Sequence, residues 1–404
     1  MPINAIDKKE ILSSMEKACG WLADTAQIKN ETLPPDVVND RPYIYNSWKG
    51  AIKTQYSAAD RKWTFMCPVW HSGQAVKALM KAYKITGNEN LLESAKLAAD
   101  FIFNSQVWDE KNPDHGLILA FEDFPDKINA SAIIECLEGL MIMADFEKSE
   151  DKWQRIIAAA EFLIEKMYIQ GMGVFMDVYD PAIHSCLKNT PFKVKGNAGG
   201  RPLLDDAVFL KLYNKTGKTV FLEAHMQTAE RLVRDQNPQG NWIDYGPCNV
   251  EGGSFHPRHT YWWGMPLLFT YNHAKDKKFL DAAISSAEFA EKSMREDGGW
   301  FRGYYLNGKT DSFGHATSGS ACSAIFWMEL YKVTGEKRWL LSAEKALSFC
   351  IKVQFTNPSD TNLKGAILEK ILSPDGTDKS PYYLRDLGTI FFIQAAAEYI
   401  SLIF

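Results

Sequence analysis

The chain has 404 residues, of which 46% are hydrophobic and 24% are charged, and its formal net charge is −5. This is the composition of a globular protein, and a surplus of acidic residues gives no reason to expect a nucleic-acid partner. No apolar stretch reaches the roughly 18 residues that a membrane span requires, so we expect no membrane partner either.

The N-terminal segment MPINAIDKKE lacks the basic and apolar regions of a signal peptide. We therefore expect a cytoplasmic protein, or a periplasmic one if a signal peptide has been removed. The seven cysteines are scattered, without a CxxC pair, and there is no HExxH motif. These features predict reduced thiols and no metal site. Nothing in the sequence indicates a cofactor, and the oligomeric state stays open.

A repeated plan runs through the chain, in which a helical segment ends in a Tyr-containing turn and an amphipathic segment follows. The clearest copies are TGNENLLESAKLAADFI, TGKTVFLEAHMQTAERLV and TGEKRWLLSAEKALSFCI, which begin at Thr86, Thr216 and Thr334. The glycine of each Thr-Gly pair suits the left-handed position that follows a helix end. With two weaker copies between them, the turns recur about every 60 residues, as in a repeat architecture.

The two segments of each pair differ in polarity. The first is apolar nearly all round, as in ASAIIECLEGLMIMA, and the second has one charged face, as in FLEAHMQTAERLVRDQ. An unpaired amphipathic segment near the start and an unpaired apolar segment at the end complete six pairs. We predict an all-α, single-domain protein over residues 1–404. Its twelve main helices form an (α/α)6 toroid, with six inner helices inside six outer ones.

The connections from outer to inner helices are much longer than the turns within pairs. They span roughly residues 29–69, 106–128, 170–200, 237–259, 297–315 and 355–383. All six must emerge at the end of the toroid where the inner helices begin. Because long connections in compact domains are usually functional, this end is the predicted active face.

Tryptophans are concentrated in these connections and at the starts of the inner helices. They are Trp48, Trp63, Trp70, Trp108, Trp242, Trp262, Trp263 and Trp300. Flat aromatic faces around a pit are typical of sugar binding, and we interpret them in that way. The alternative is that long loops need aromatic anchors in order to stay folded.

The segment GNAGGRPLLDDAVFLKLY holds the most pointed candidate for catalysis. It places Asp205 and Asp206 at the start of an otherwise apolar inner helix. Helix capping explains one carboxylate there but explains two less well. In an apolar pit a carboxyl group has a raised pKa and can act as a general acid near neutral pH. Asp123 is our candidate for a second catalytic carboxylate, with Glu122 and Asp311 as alternatives.

Each of the other inner helices also begins with polar or aromatic residues. The candidate substrate-binding residues are Trp70, His71, Arg201, Arg258, His259, Trp263, Trp300, Arg302, His315 and Tyr383. Arginine binds carboxylates with two parallel hydrogen bonds, so the arginines favour an anionic sugar such as a uronic acid. Salt bridges that order the loops are the alternative for any single arginine.

This layout resembles the six-hairpin glycosidase superfamily. The segment LLDDAVFLKLYNKTGKTVFLEAHMQT is similar to one in the unsaturated glucuronyl and rhamnogalacturonyl hydrolases of glycoside hydrolase families 88 and 105. The resemblance implies that Asp205 is the catalytic residue. It also matches WHSGQAVKALMKAYKITG to the first inner helix of that family, and Asp311, Ser312 and Thr317 to its Asp-Ser-Ser-Ala-Thr segment. Asn129 stands where those hydrolases have a His-Asp pair.

We therefore expect a glycoside hydrolase that acts on an oligosaccharide, in particular one that contains a uronic acid. The resemblance implies that Asp205 protonates the double bond of an unsaturated uronic acid, after which water adds and the glycosidic link breaks. A sugar epimerase or uronate lyase that uses His or Tyr as base is the first alternative. A toroid that binds glycans without catalysis is the second.

Overall fold

The protein, described from a computed structural model, is covered over residues 6–188, 193–194, 197–198, 200–249, 252–310, 312, 314–371 and 383–404. Its α-helices, in chain order, are α1 (Lys8–Gly20), α2 (Pro68–Thr86), α3 (Glu89–Asn104), α4 (Ala130–Glu147), α5 (Glu150–Phe162), α6 (Val208–Thr216), α7 (Thr219–Arg234), α8 (Met265–Ala274), α9 (Lys277–Ser293), α10 (Thr317–Thr334), α11 (Lys337–Lys352) and α12 (Leu387–Ile403).

Five shorter helical turns extend or link these helices. Three are π-helical turns, Trp21–Ala26, Leu163–Met167 and Thr260–Gly264, and two are 3₁₀ turns, Asp205–Ala207 and Thr361–Leu363. The π turn Thr260–Gly264 leads directly into α8, and the 3₁₀ turn Asp205–Ala207 leads into α6. Two of the inner helices therefore begin with irregular backbone at the end where the long connections enter.

The helices form a closed double ring. The even-numbered helices are the inner ones: α2 packs against α4 and α12, and α12 packs against α10. The odd-numbered helices lie outside, and α1 packs on α12 to close the ring. The predicted all-α toroid with twelve main helices is thus confirmed. None of the described helices is long and apolar enough to cross a membrane.

Burial along the helices explains which ring each one joins. From Leu387 to Ile400 nearly every residue of α12 is buried, and α10 is buried in the same way. By contrast, α7 buries one stripe and exposes the rest. A helix that is apolar on all sides is stable only when other helices surround it, whereas an amphipathic helix can keep one face in water.

The turns within the pairs are tight and left-handed. Gly87, Gly217 and Gly335 have φ values of 65°, 70° and 71°, as their position after a helix predicts. In the two weaker copies Lys148 and Lys275 take this conformation, with φ values of 54° and 57°. The plan of the repeat therefore persists where the Thr-Gly pair is missing.

Short strands lie in the long connections. In chain order they are Gln55–Ser57, Lys62–Thr64, Ile128–Asn129, Tyr168–Ile169, Val174–Met176, Val178–Asp180, Ser185–Cys186, Lys193–Val194, Asn197–Ala198, Gly200–Arg201, Ser254–Phe255, Tyr304–Tyr305, Lys370–Ile371 and Tyr383–Arg385. All the strand pairs are antiparallel, and three of them join different connections. Gln55–Ser57 pairs with Tyr383–Arg385, Ile128–Asn129 with Val178–Asp180, and Ser254–Phe255 with Tyr304–Tyr305.

Side-chain hydrogen bonds join the remaining neighbours. The Tyr43 hydroxyl donates to the carbonyl of Glu122 at 2.6 Å, which links the first and second connections. Nη1 of Arg201 donates to the carbonyl of Gly246 at 3.0 Å, which links the third and fourth. Ser318, at the start of α10, donates through its amide and its hydroxyl to Glu369 of the sixth. The six connections therefore form one continuous rim at the predicted end.

Candidate active site

Charged side chains gather beneath this rim, where the inner helices begin. The charged and titratable members of the cluster are Glu122, Glu135, Asp205, Arg201, Arg258, Arg302, Arg385, His71, His256, Glu369 and Asp386. Nearly all of them are buried. Such a concentration of ionisable groups beneath a rim of loops is what a functional site requires and a stable core avoids.

Asp205 lies inside this cluster. It is 1% exposed, and neither carboxyl oxygen has a hydrogen-bond partner among the described residues. Burial, with a smaller contribution from the charge of Asp206, raises the pKa of Asp205 to about 7. Its own amide, Arg201 and Arg258 act in the opposite direction. Asp205 is therefore a carboxyl group that can hold or release a proton near neutral pH.

Asp206 faces the axis of the toroid instead. Its Oδ1 lies 2.7 Å from Nζ of Lys77, and its Oδ2 accepts hydrogen bonds from Gln74 at 3.2 Å and from the Tyr261 hydroxyl at 3.0 Å. Because all of these partners come from inner helices and their first turns, Asp206 is held in place by the wall of the toroid. The two adjacent aspartates thus have different surroundings.

Glu135 is a member of the cluster that was not predicted from the sequence. It lies on α4, is 6% exposed, and its Oε2 has no hydrogen-bond partner among the described residues. Burial, followed by the charge of Asp205, raises the pKa of Glu135 well above its ordinary value. Asp205 and Glu135 therefore form an interacting carboxyl pair. A charged residue in the first half of a mostly apolar helix was the available signal.

Arg258 is a buried cation whose side chain lacks hydrogen bonds to the described residues. It is 6% exposed, and its Nε and Nη1 have no hydrogen-bond partner among the described residues. Its guanidinium carbon lies 4.9 Å from the ring centre of Trp262 and 5.8 Å from that of Trp70. The rings stabilise the cation through their faces but leave its planar hydrogen-bond donors unused. A buried guanidinium of this kind is suited to binding an anion.

The other arginines have protein partners. Nε of Arg201 lies 2.6 Å from Asp177 and its Nη2 donates to Ser131 at 3.1 Å, so this side chain orders the loops. Nη2 of Arg385 donates to Gln55 at 2.9 Å, while its Nε is unpartnered among the described residues. Arg302 is half-buried and its charge lowers the pKa of His256 and of Arg385.

His71 forms a buried dyad with Asp386. Its Nδ1 lies 2.7 Å and 2.9 Å from the two carboxylate oxygens, and both residues are fully buried. Burial, with the charges of Arg385 and Arg258, lowers the pKa of His71 well below its ordinary value, so the ring is neutral at pH 7. Its Nε2 has no partner among the described residues. Burial also raises the pKa of Asp386 well above its ordinary value, so the two residues share one proton, and Nε2 presents a lone pair when that proton is on Nδ1.

Several predicted binding residues lie away from the cluster. His259 packs against Phe289 of α9, and Trp300 lies 6.1 Å from Trp327 and donates to Ser293. Trp263 packs on Trp242 and donates to the carbonyl of Pro202. His315 contacts Arg295 and Phe349. A residue at a helix start can point into either layer, and His259, Trp300 and His315 contact the outer helices α9 and α11. Trp263 instead packs among the connections, 5.8 Å from Trp262.

The other predicted residues lie nearer the rim surface. Asp123 is exposed and accepts a hydrogen bond from Asn129 at 2.8 Å. Tyr383 is half-buried in the strand that pairs with Gln55–Ser57. Glu122 is also half-buried, and burial with the charge of Asp123 raises its pKa to about 7. Asp311 lies outside the described residues.

Most of the loop tryptophans are anchors. Trp48 stacks on Phe65, Trp63 lies 4.8 Å from Tyr56, and Trp242 donates to the carbonyl of Leu232. Within the cluster itself, Trp70 and Trp262 lie beside Arg258. The described residues contain no group of three or more His, Cys, Asp or Glu that could hold a metal ion.

The sequence matches no family model and no curated protein. The fold, however, is shared by solved structures that align with 98% of this chain over 98% of their own length. They include an unsaturated glucuronyl hydrolase specific for heparin, with a TM-score of 0.70 and 14% identity. A D-mannose isomerase has a TM-score of 0.66 and 12% identity. A cellobiose 2-epimerase from Spirochaeta thermophila has a TM-score of 0.65 and 11% identity. These likenesses show that the chain shares the (α/α)6 toroid fold with these structures.

Proposed function

We propose that the protein is a glycoside hydrolase that acts on an acidic oligosaccharide, with an unsaturated uronic acid at the end that is cleaved. The observation that carries the proposal is the presence of Asp205 and Arg258 in the same cluster. A buried carboxyl group and a buried guanidinium, each without a hydrogen-bond partner among the described residues, lie in one cluster. The carboxylate of the sugar would bind the Arg258 guanidinium, and the reacting carbon of the sugar would lie near Asp205.

Trp70 and Trp262 support a sugar in this position. Both rings already flank the Arg258 guanidinium, so a pyranose whose carboxylate binds Arg258 would lie next to an aromatic surface. Arg385 and Arg302 would add positive charge to the same region, and Arg201 would hold the loops around it. The neighbouring solved structures are named for sugar-processing activities, one of them for the cleavage of unsaturated glucuronyl units.

The proposed chemistry uses the carboxyl pair with one proton between its members. Asp205 gives that proton to C4 of the C4=C5 double bond, and the positive charge at C5 is shared with the ring oxygen. Glu135 takes a proton from water, whose oxygen bonds to C5. The resulting hemiketal opens to a ketone at C5 and a hemiacetal at C1, which releases the rest of the oligosaccharide as an alcohol. The proton taken from water restores the pair.

Activity on oligosaccharides produced by polysaccharide lyases tests this proposal. We expect the ultraviolet absorbance of the double bond to disappear as the saccharide is cleaved. Replacement of Asp205 by Asn should lower kcat by about 10²–10⁴-fold, the usual contribution of a general acid. Asp123→Asn is the matched control, because Asp123 is exposed at the rim, and it should keep kcat within about twofold. Unchanged turnover by Asp205→Asn would reject the proposal.

The His71–Asp386 dyad favours a second candidate function, the epimerisation or elimination of a uronate. A neutral imidazole that is held by a carboxylate and has a free Nε2 is suited to removing a proton beside a carboxylate. In deuterium oxide such an enzyme would incorporate deuterium at that carbon. It would lose turnover in His71→Asn while Asp205→Asn stays active. The hydrolase predicts the opposite pattern for the two variants.

A further inference from the structure

The backbone that carries Asp205 into the cluster is strained. Asp206 and Ala207 have φ values of 53° and 51°, so two consecutive residues other than glycine take the left-handed conformation immediately before α6. This conformation is unfavourable for residues other than glycine, and it persists only where the surroundings enforce it. This turn also separates the two carboxyl groups, so that Asp205 meets the arginines and Asp206 meets the axis.

The contacts of Asp206 are what hold the turn. Lys77 lies 2.7 Å from Oδ1, whereas Gln74 and Tyr261 donate to Oδ2. Lys77 is 6% exposed and also pairs with Glu138 of α4. Glu138 in turn pairs with Lys211 of α6. Lys77 therefore joins three inner helices at the point where the turn must be fixed.

The charges of this network balance. Lys77 and Lys211 face Asp206 and Glu138, two cations against two carboxylates. Although burial lowers the pKa of Lys77, Asp206 and Glu138 raise it above its ordinary value. Burial and the charge of Glu138 raise the pKa of Asp206, whereas Lys77 and Lys211 lower it. Loss of the Lys77 cation would thus leave Asp206 next to a carboxylate with one opposing charge fewer.

We propose that Lys77 is a positioning residue for Asp205. By holding the Asp206 carboxylate on the axis of the toroid, it maintains the strained turn that directs Asp205 toward Arg258 and Glu135. Lys77 does not reach the substrate in this role and acts only through Asp206. The proposal rests on the proposed function of Asp205 as general acid.

Lys77→Met tests it, since methionine fills a similar volume without the charge. We expect kcat to fall at least about tenfold while KM stays within about threefold, because substrate binding uses Arg258 and the rings. The alkaline limb of the pH profile should move to lower pH. Loss of the Lys77 charge raises the pKa of Asp206 further, so its negative charge contributes less to raising the pKa of Asp205. Glu135, Arg201 and Arg258 face Asp205 from the other elements.

Lys211→Met is the matched control. Lys211 pairs with the same Glu138 but forms no hydrogen bond or ion pair with Asp206, so its loss disturbs the network without releasing the turn. This variant should keep kcat within about twofold. An equal loss of kcat in Lys77→Met and Lys211→Met would overturn the proposal, because it would show a general effect of the network.

A second variant covers the case in which Lys77→Met does not fold. Asp206→Asn keeps the shape of the side chain and removes its ion pair with Lys77, and we expect the same loss of kcat and the same shift of the alkaline limb. Normal kcat and an unshifted pH profile in the variants that fold would overturn the role of Lys77. If Asp205→Asn stays fully active as well, the proposed function itself fails, and the two failures are thereby distinguished.

Discussion

At the scale of single residues, the burial of Asp205 sets the pH dependence of the reaction. A general acid must be protonated, and the pKa of Asp205 lies near 7 chiefly because of its burial. We therefore expect a bell-shaped profile: kcat/KM falls about tenfold per pH unit above that value, and it falls again at lower pH, where Glu135 is protonated as well. A pH–rate profile on an unsaturated oligosaccharide measures this. A profile that stays flat from pH 6 to pH 9 would contradict the assignment of the acid.

The same carboxyl group links stability to pH. The folded-state pKa of Asp205 exceeds the value of about 3.9 for an unfolded chain, so the folded state binds the proton more tightly. The stability that Asp205 gains from binding this proton in the folded state is fully present below about pH 4, and it is lost as the pH rises through about 7. Asp205→Asn should therefore exceed the wild type in free energy of unfolding at pH 8, by up to about 4 kcal/mol.

Urea denaturation at pH 5 and pH 8 checks this expectation. The gain from Asp205→Asn should be larger at pH 8, since the asparagine carries no charge to bury. Asp123→Asn, at an exposed position, serves as the control and should change little at either pH. A gain of the same size at both pH values would mean that ionisation of Asp205 is not its source.

Replacement of Arg258 should weaken saccharide binding without lowering the free energy of unfolding. Arg258→Met removes a buried cation without hydrogen-bond partners among the described residues, so we expect the free energy of unfolding to stay the same or to rise. Affinity for acidic saccharides should fall by about 10²-fold or more, the equivalent of a lost charged pair of about 3 kcal/mol. Affinity for neutral saccharides should not change. Titration calorimetry with both classes measures the difference, with Arg234→Met at the exposed surface as control.

At the scale of elements, α2 and α4 cross so closely that their glycines leave no room for a side chain. A Cβ on Gly139 would lie 2.1 Å from the carbonyl oxygen of Gly73, and one on Gly73 would lie 2.4 Å from Cα of Cys136. Gly139→Ala should therefore cost about 3 kcal/mol of stability and should also lower activity, because these helices carry Gln74 and Glu135. Urea denaturation gives the stability.

Gly87→Ala is the comparison for that crossing. Gly87 has a left-handed backbone, but a Cβ there would meet no atom within 4 Å. We expect a loss of about 1 kcal/mol from conformational strain alone, with normal kcat. Equal losses for the two alanines would show that helix packing at Gly139 is more adaptable than its distances indicate.

The elements also show what the sequence could predict. The toroid follows from the 3.6-residue period and from the recurrence of helix pairs, signals that many residues share. The strain before α6 does not, because Asp206 and Ala207 take a conformation that glycine usually supplies. The direction of each side chain in a first turn, such as that of His259 toward Phe289, depends on how the entering loop packs. Asp205 was identified and Glu135 was not, since Glu135 and Glu138 hardly alter the apolar pattern of α4.

At the scale of the whole molecule, closure of the ring brings the two ends of the described chain together. Nζ of Lys8 lies 5.1 Å from the ring centre of Phe404, and α1 packs on α12. A circular permutant in which a short linker joins these ends, with new ends between Gly217 and Lys218, should fold and keep its activity. Circular dichroism and turnover check this.

An opening within the strand Gln55–Ser57 provides the contrast for the permutant. This strand pairs on both sides, with Lys62–Thr64 and with Tyr383–Arg385, so a break there removes the junction of the first and sixth connections. We expect lost activity in that version. If both openings behave alike, the rim strands do not hold the site together.

The paired strands of the rim also constrain how this scaffold can be re-engineered. The sixth connection shares a sheet with the first, the second shares one with the third, and the fourth shares one with the fifth. Each connection therefore supplies one of two strands that pair with each other. Grafting a single loop from another toroid would leave its partner's strand with an unmatched edge. Specificity should therefore be transplanted in three cassettes of two loops each.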